Sequence, residues 1–371
     1  MSGSVEPPRA IGRYAHVDAL RALAVSIVVV SHAGLGAIVP GGTGVTLFFS
    51  ISGFIITVLL LRERDTTGGF SAGSFYFRRA MKIGPPFLVV IAIPTLVLSL
   101  WHAIDWPAFL AQIFFVYNWV AIDSQPAVLP GSGVVWSLAI EEQFYIVFAI
   151  IWLLMVRSRS YLRGITLLAV AAIVLSVGAR FALFFSGASE DRIYQGTDTR
   201  MEGLAWGILA AVVFAWWSRA PTPPRSRLLF GSPWVLVSAA AVLLVSLLIR
   251  DEAFRSTGRY TLQSVATCAV ILYGFSVNSS RLKQVTLRMF AYAPVQLIGH
   301  ASYSIYLIHL PLYELLTPLF SGLPVAVRTP LEILLGVGAG ILIYLLVEKP
   351  ALALRNRITA ARTPTAEQIA V

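Results

Sequence analysis

The sequence predicts an all-α, polytopic transmembrane helix bundle, with about ten spanning helices and one re-entrant or interfacial helix. Three observations predict it. Of the 371 residues, 57% are hydrophobic and 12% charged, and the mean hydropathy is +0.78; a soluble domain carries about 25% charged residues. Ten apolar stretches are long enough to cross a bilayer as helices. The basic residues cluster between alternate stretches rather than being spread along the chain.

The stretches fall at about 17–37, 44–61, 83–101, 134–156, 164–186, 198–217, 228–249, 260–277, 294–320 and 330–347, with a shorter apolar piece at 106–122. Arg9 and Arg13 precede the first. Arg62, Arg64, Arg78, Arg79 and Lys82 follow the second, and Arg157, Arg159 and Arg163 form the next cluster. Then come Arg219, Arg225 and Arg227, next Arg281, Lys283 and Arg288, and last Lys349, Arg355, Arg357 and Arg362. Basic loops stay on the cytoplasmic side. All these clusters share that side only if segment 106–122 does not cross. Its tryptophans and tyrosine beside Gln112 and Asn118 suit an interface. The expectation is therefore ten crossings with both termini cytoplasmic.

The predicted organisation is a cytoplasmic lead over 1–16, one transmembrane domain over 17–350, and a cytoplasmic tail over 351–371, disordered at its end. The lead reads as part of an uncleaved signal anchor, because the apolar segment behind it is long enough to span. No internal repeat is evident, and Pro-rich 220–227 reads as a linker. The net charge of +10 follows from the positive-inside pattern. No basic segment interleaves with aromatics as a nucleic-acid arm does, so no nucleic acid is expected. The one cysteine, Cys268, cannot form an internal disulfide, and no Cys/His cluster has metal spacing.

Ionisable groups inside spans are costly, and are kept where they pair, line a cavity or do chemistry. Arg21 and His32 lie on the first stretch, eleven residues apart, which puts them on nearly one helix face about 16 Å apart. Asp18 lies beside Arg21. Trp136, Glu141 and Glu142 stand in WSLAIEEQFY, and Asp198, Arg200 and Glu202 in TDTRMEGLAWG. Ser302 and His309, seven apart, share a face of the ninth stretch, with Tyr303 next to the first. Each has a plain structural reading. Arg78, Arg79 and Lys82 serve as membrane anchors, Arg200 and Glu202 pair and cap a span, and His309 bonds a carbonyl freed by Pro311. Two adjacent carboxylates in an apolar helix must be paired, neutralised or hydrated, and a carboxylate–imidazole pair raises the basicity of a histidine. His32 and Glu141 are therefore expected to pair as a general base. Gly34 and Gly36 suggest close helix packing near His32.

These segments together resemble the acyltransferase-3 family of integral-membrane O-acyltransferases. The resemblance rests on motifs in order: VDALRALAVSIVVVSH (17–32) with its Arg–x10–His pair, GVTLFFSISGFIITVLLL (44–61), FYFRRAMKIGPP (75–86), WSLAIEEQFY (136–145), TRMEGLAWG (199–207), SYSIYLIHLP (302–311) and VEKP (347–350). Lys82 stands where the family's Arg-Arg-x-x-Arg motif ends in arginine, which loses a planar fork. Glu202 stands where aspartate is usual.

The resemblance implies an enzyme that moves an acyl group, commonly acetyl, from cytoplasmic acyl-CoA to a hydroxyl of a glycan, glycolipid or macrolide-like acceptor, in a bacterial inner membrane. It implies that Arg78, Arg79 and Lys82 take the coenzyme A nucleotide and that Arg21 stands at the mouth of a path to His32. His32 then acts as general base or as an acyl-histidine nucleophile. Ser302 or Tyr303 donates to the oxyanion, and Arg200 and Glu202 orient the acceptor. Trp136, Glu142 and His309 complete the expected substrate contacts, and no metal is expected. Many family members carry an esterase-like domain after the last span; this sequence is expected to act without one. A proton-coupled transporter of a glycan or acylated substrate remains the competing class, and a catalytically dead scaffold a third.

Overall fold

In the computed structural model the described residues are 14–277 and 280–362. The N-terminal lead before residue 14 and the tail from Thr363, including its expected disorder, lie outside them. Among the described residues every regular element is helical. With no water to satisfy backbone groups, a lipid-embedded chain closes its hydrogen bonds within helices.

Seven helices are long and apolar enough to cross a membrane: α1 (Ala15–Leu35), α2 (Gly41–Thr67), α3 (Ala72–Leu98), α6 (Ser132–Met155), α7 (Tyr161–Phe185), α9 (Thr197–Arg219) and α14 (Val325–Thr359). Between them lie the shorter helices α4 (Trp106–Ile113), α5 (Tyr117–Ala121), α8 (Glu190–Gln195), α10 (Pro233–Leu248), α11 (Arg259–Phe275) and α12 (Arg281–Phe290), and the 28-residue α13 (Ala293–Phe320). Helices thus form at all ten predicted stretches. Those at 228–249, 260–277 and 294–320, which became α10, α11 and α13, fall short of the length or hydropathy of the seven. The predicted tail begins as helix: turns run on from Lys349 to Arg362.

Segment 106–122 is broken. Asp105 caps α4 by accepting from the Ala108 N–H at 3.0 Å, and Phe115 at φ 54° separates α4 from α5. Pieces of eight and five residues are far short of the roughly 20 needed to span.

Helix α2 is the hub, with 78% of its apolar window buried. It packs on α1, α9 and α11; α13 packs on α1 and α14, and α7 on α9. Between apolar helices in lipid, contact depends on close van der Waals approach through small residues. Gly53 of α2 lies against the Leu204 carbonyl and Gly207 of α9 against that of Ser50, so a Cβ at either would overlap backbone.

Candidate active site

Consecutive positions of α2 serve as a ruler for the site, at 1.5 Å rise per residue. At its start, a Cβ on Gly41 would lie 3.9 Å from His32 Cε1, while Gly42 abuts the ring of Tyr194. Thr46 accepts from Arg200 Nη2 at 3.0 Å. Ser52 donates to Glu141 at 3.0 Å. Thus Arg200 sits about 7 Å, and Glu141 about 16 Å, along α2 from the His32 level.

At the first level α1 ends in a wide π-turn, Ser31–Leu35, where Gly34 has φ 96°. A β-carbon is strained there, and Thr329 closes the turn by donating to the Ala33 carbonyl at 2.7 Å. Gly34 therefore shapes a turn; a Cβ on it would meet only Thr329 Oγ1, at 3.6 Å. The turn presents His32 to α13. His32 Nδ1 and His309 Nε2 are 2.9 Å apart, with ring centroids at 5.1 Å. His309 Nδ1 lies 3.2 Å from the Ile305 carbonyl, an oxygen that can only accept. A neutral imidazole has one donor and one acceptor nitrogen. His309 thus donates from Nδ1 and accepts at Nε2 from the His32 Nδ1–H. His32 Nε2 is left with its lone pair. His309 is fully buried, whereas His32 is exposed. The carbonyl His309 takes is that of Ile305, not the Leu307 carbonyl that Pro311 frees. Gly131, at φ 76°, lets the loop before α6 press on Leu310–Pro311, and Tyr306 donates to the Val134 carbonyl at 3.0 Å.

Glu141 is not the partner of His32. It belongs to a second, charged level set by Ser52. There Arg79 Nε donates to both oxygens of Glu142, at 2.7 and 2.8 Å, lies 3.8 Å from Glu141, and stacks 3.7 Å from the Tyr145 ring centroid. Arg21 Nε donates to Ser302 at 3.1 Å. Lys82 pairs with the buried Glu348, which also accepts from Ser304 at 2.6 Å. Arg78 pairs with Glu63 at 2.8 Å. Each member of the expected nucleotide cradle is thus already answered by a carboxylate; Arg78, 36% exposed, and Lys82, 30% exposed, remain the most accessible.

Two further expectations change. Ser302 and His309 do share the face toward α1, but seven residues separate them by about 10 Å. Ser302 cannot donate to an oxyanion formed beside His32. Tyr303 has committed its hydroxyl hydrogen to the Ile83 carbonyl at 3.0 Å. Glu202 does not pair with Arg200: it takes Arg180 Nη1 at 2.7 Å and Thr261 at 3.0 Å. Arg200 instead stacks 3.7 Å from the Tyr260 ring centroid. Asp198 pairs with Arg192 at 2.6 Å, and Trp136 packs on Tyr194, centroids 4.7 Å apart.

Sequence reasoning missed Ser52, Arg180, Tyr194, Tyr260 and Glu348. Arg180 and Glu348 carried a readable signal as charges inside or beside apolar stretches. The others are ordinary residue types that only packing distinguishes.

A family model described as an acyltransferase domain matches residues 14–349. A putative O-acetyltransferase of Staphylococcus aureus (strain COL) is 32% identical over 306 residues, 79% of this chain and 49% of that protein. The peptidoglycan O-acetyltransferase OatA of Listeria monocytogenes is 30% identical over 321 residues, covering 81% and 50%. The O-acetyltransferase OatA of S. aureus (strain NCTC 8325) is 30% identical over 355 residues, covering 90% and 56%. The chain spans about half the length of the curated relatives it matches, and no solved structure matches it. Motif order, helical architecture and family match together make this chain an integral-membrane member of the acyltransferase-3 family.

Proposed function

We propose that the chain is a membrane O-acetyltransferase that moves an acetyl group from acyl-CoA to a hydroxyl acceptor, with His32 as general base and His309 as the residue that orients it. The observation that carries this reading is the His32–His309 hydrogen bond at the end of α1, which leaves His32 Nε2 as a lone-pair nitrogen on an exposed ring. The bacterial relatives named as O-acetyltransferases support the acetyl group, and the peptidoglycan enzyme among them favours a glycan acceptor.

In this mechanism His32 Nε2 removes the acceptor hydroxyl proton as the oxygen attacks the thioester carbonyl. The tetrahedral intermediate collapses, the C–S bond breaks, and the proton on His32 passes to the departing thiolate. Burial of His309 and its fixed tautomer favour His32 as proton carrier. The donor enters from the charged level. Arg78 and Lys82 exchange their carboxylate partners for the nucleotide phosphates, and the pantetheine arm runs past Arg21 and Ser302 over the roughly 16 Å to His32. Arg79, clasped by Glu142, holds this level together and does not contact the donor.

Contacts between helix ends favour the predicted orientation. Arg64 donates to the Val156 carbonyl at 2.8 Å, Arg219 pairs with Asp65 at 2.6 Å, and Arg227 donates to the Phe275 carbonyl at 3.2 Å. The basic ends of α2, α6, α9 and α11 therefore meet on one side, which we take as the cytoplasmic side.

The test is thioester cleavage by purified protein in nanodiscs, following free thiol from acetyl-CoA with glycan and macrolide acceptors. A general base contributes about 10²–10⁴-fold, so His32→Ala is expected to lose that factor while still binding acetyl-CoA. Near-normal turnover in His32→Ala sinks the base assignment. Absence of coenzyme A binding in the wild type returns the transporter to the front.

A further inference from the structure

Three buried arginines meet around one tyrosine. Arg200, Arg259 and Arg180 lie 3.7, 5.3 and 5.5 Å from the Tyr260 ring centroid, and are 2%, 5% and 0% exposed. They come from α9, α11 and α7, which pack together beside α2. One buried carboxylate, Glu202, answers them, and it is committed to Arg180. Exposed Glu190 on α8 faces Tyr194. Among the described residues no carboxylate lies at ion-pair distance from Arg200 or Arg259. Two positive charges are therefore enclosed without counter-charge, which burial makes strongly unfavourable.

The unused hydrogen-bonding atoms at this place are of one kind. Arg200 Nη1, Arg259 Nε and Ser264 Oγ are buried and unpartnered. The first two are obligate donors and the third can donate. Arg200 and Ser264 line one small, tightly closed cleft with Thr46, Phe49, Glu202, Gly203 and Tyr260, and the Glu202 carboxylate there is the one already held by Arg180. Tyr194 borders the cleft, its ring centroid 5.3 Å from the Arg200 guanidinium. Burial pushes the Tyr194 hydroxyl up to about 12 despite the opposing pull of Arg200, so it stays protonated and adds a donor. Unpartnered buried atoms occur elsewhere too, among them Trp152 Nε1, Tyr313 Oη and Glu332 Oε2; here idle donors coincide with excess positive charge.

We infer that Arg200, with Arg259 and Ser264, forms an anion-binding subsite about 7 Å from the level of His32, and that the hydroxyl acceptor carries a carboxylate or phosphate ester that docks there. The subsite stands on its own geometry; that it serves the acceptor rests on the transfer reading above. A planar guanidinium grips either anion through two parallel hydrogen bonds.

The experiment measures binding without donor. Purified protein is titrated at constant ionic strength with glucuronate, glucose 6-phosphate or glucose. The readouts are the melting temperature and tryptophan fluorescence, for which Trp136 against Tyr194 is the reporter. The expected result is a saturable rise in melting temperature with one or both anions and none with glucose. Arg200→Met should weaken that binding at least tenfold and Ser264→Ala several-fold. Without ligand, Arg200→Met should melt at or above the wild-type temperature, because an unanswered buried charge is gone. A response to glucuronate alone identifies a carboxylate acceptor, and to the sugar phosphate alone a phosphorylated one. The inference is overturned if neither anion binds, or if Arg200→Met and Ser264→Ala both bind as the wild type does. A lowered melting temperature of ligand-free Arg200→Met together with wild-type binding by Ser264→Ala overturns it too, by making Arg200 structural. If anion binding depends on Arg200 while His32→Ala retains turnover, the transfer mechanism fails and the subsite stands.

Discussion

His32 and Arg79 are both ionisable residues within or beside apolar helices, yet their surroundings assign them opposite tasks. His32 has one nitrogen fixed by His309 and the other free. Its partner acts through it, so His309→Ala should lower kcat with little change in the donor KM, and measuring the two constants separately checks this. A large rise in KM with kcat intact would place His309 in donor binding. Arg79 has its guanidinium filled by Glu142, Glu141 and Tyr145. Removing one partner of a buried ion pair costs about 3–5 kcal/mol, because the other charge is stranded. Arg79→Ala should therefore lose stability by that order in detergent unfolding, and Glu142→Gln in the same background should recover part of it. An Arg79→Ala protein of wild-type stability and raised donor KM would restore the nucleotide role suggested by its motif.

At the scale of elements, the site depends on where helices are interrupted and how closely they pack. The π-turn at Ser31–Leu35 places His32 across from His309, and it needs Gly34 in a conformation that a side chain resists. The α2–α9 contact fixes Arg200 relative to α2, and it needs Gly53 and Gly207 without β-carbons. Overpacking a filled contact costs about 1–3 kcal/mol. Gly53→Ala should show that loss in unfolding measurements, with a parallel fall in turnover as α9 shifts from α2; an unchanged protein would mean the helices separate freely. Asn118 on α5 donates to Thr197 at 3.0 Å and Gln143 donates to Asn118 at 2.8 Å, so the broken segment 106–122 braces the start of α9 against α6.

For the whole molecule, the question is which ends share a side of the membrane. In a Cys268→Ser background, Thr66→Cys and Ser158→Cys should label from the same side with an impermeant reagent. Labelling from opposite sides would mean that segment 106–122 crosses and that every later loop is inverted.

The sequence by itself determined the helical, membrane-embedded class, the family, much of the set of polar residues held inside the bundle, and the position of most long helices to within a few residues, although α3 starts well before its predicted stretch and α14 runs well past its own. It could do so because hydropathy and motif spacing are local along the chain, and a bilayer penalises any unpaired charge wherever it lies. Partner choice was decided only by the tertiary structure. The expected His32–Glu141 pair became His32–His309, the expected Arg200–Glu202 pair became Arg180–Glu202, and Ser302 moved away from the reaction level. Each revision has one cause. Helix spacing fixes which residues share a face and a depth on one helix, but the registry between helices arises from glycine contacts and turns such as Gly34 and Gly53. A shift of one turn, about 5.4 Å, is enough to exchange one ion-pair partner for another.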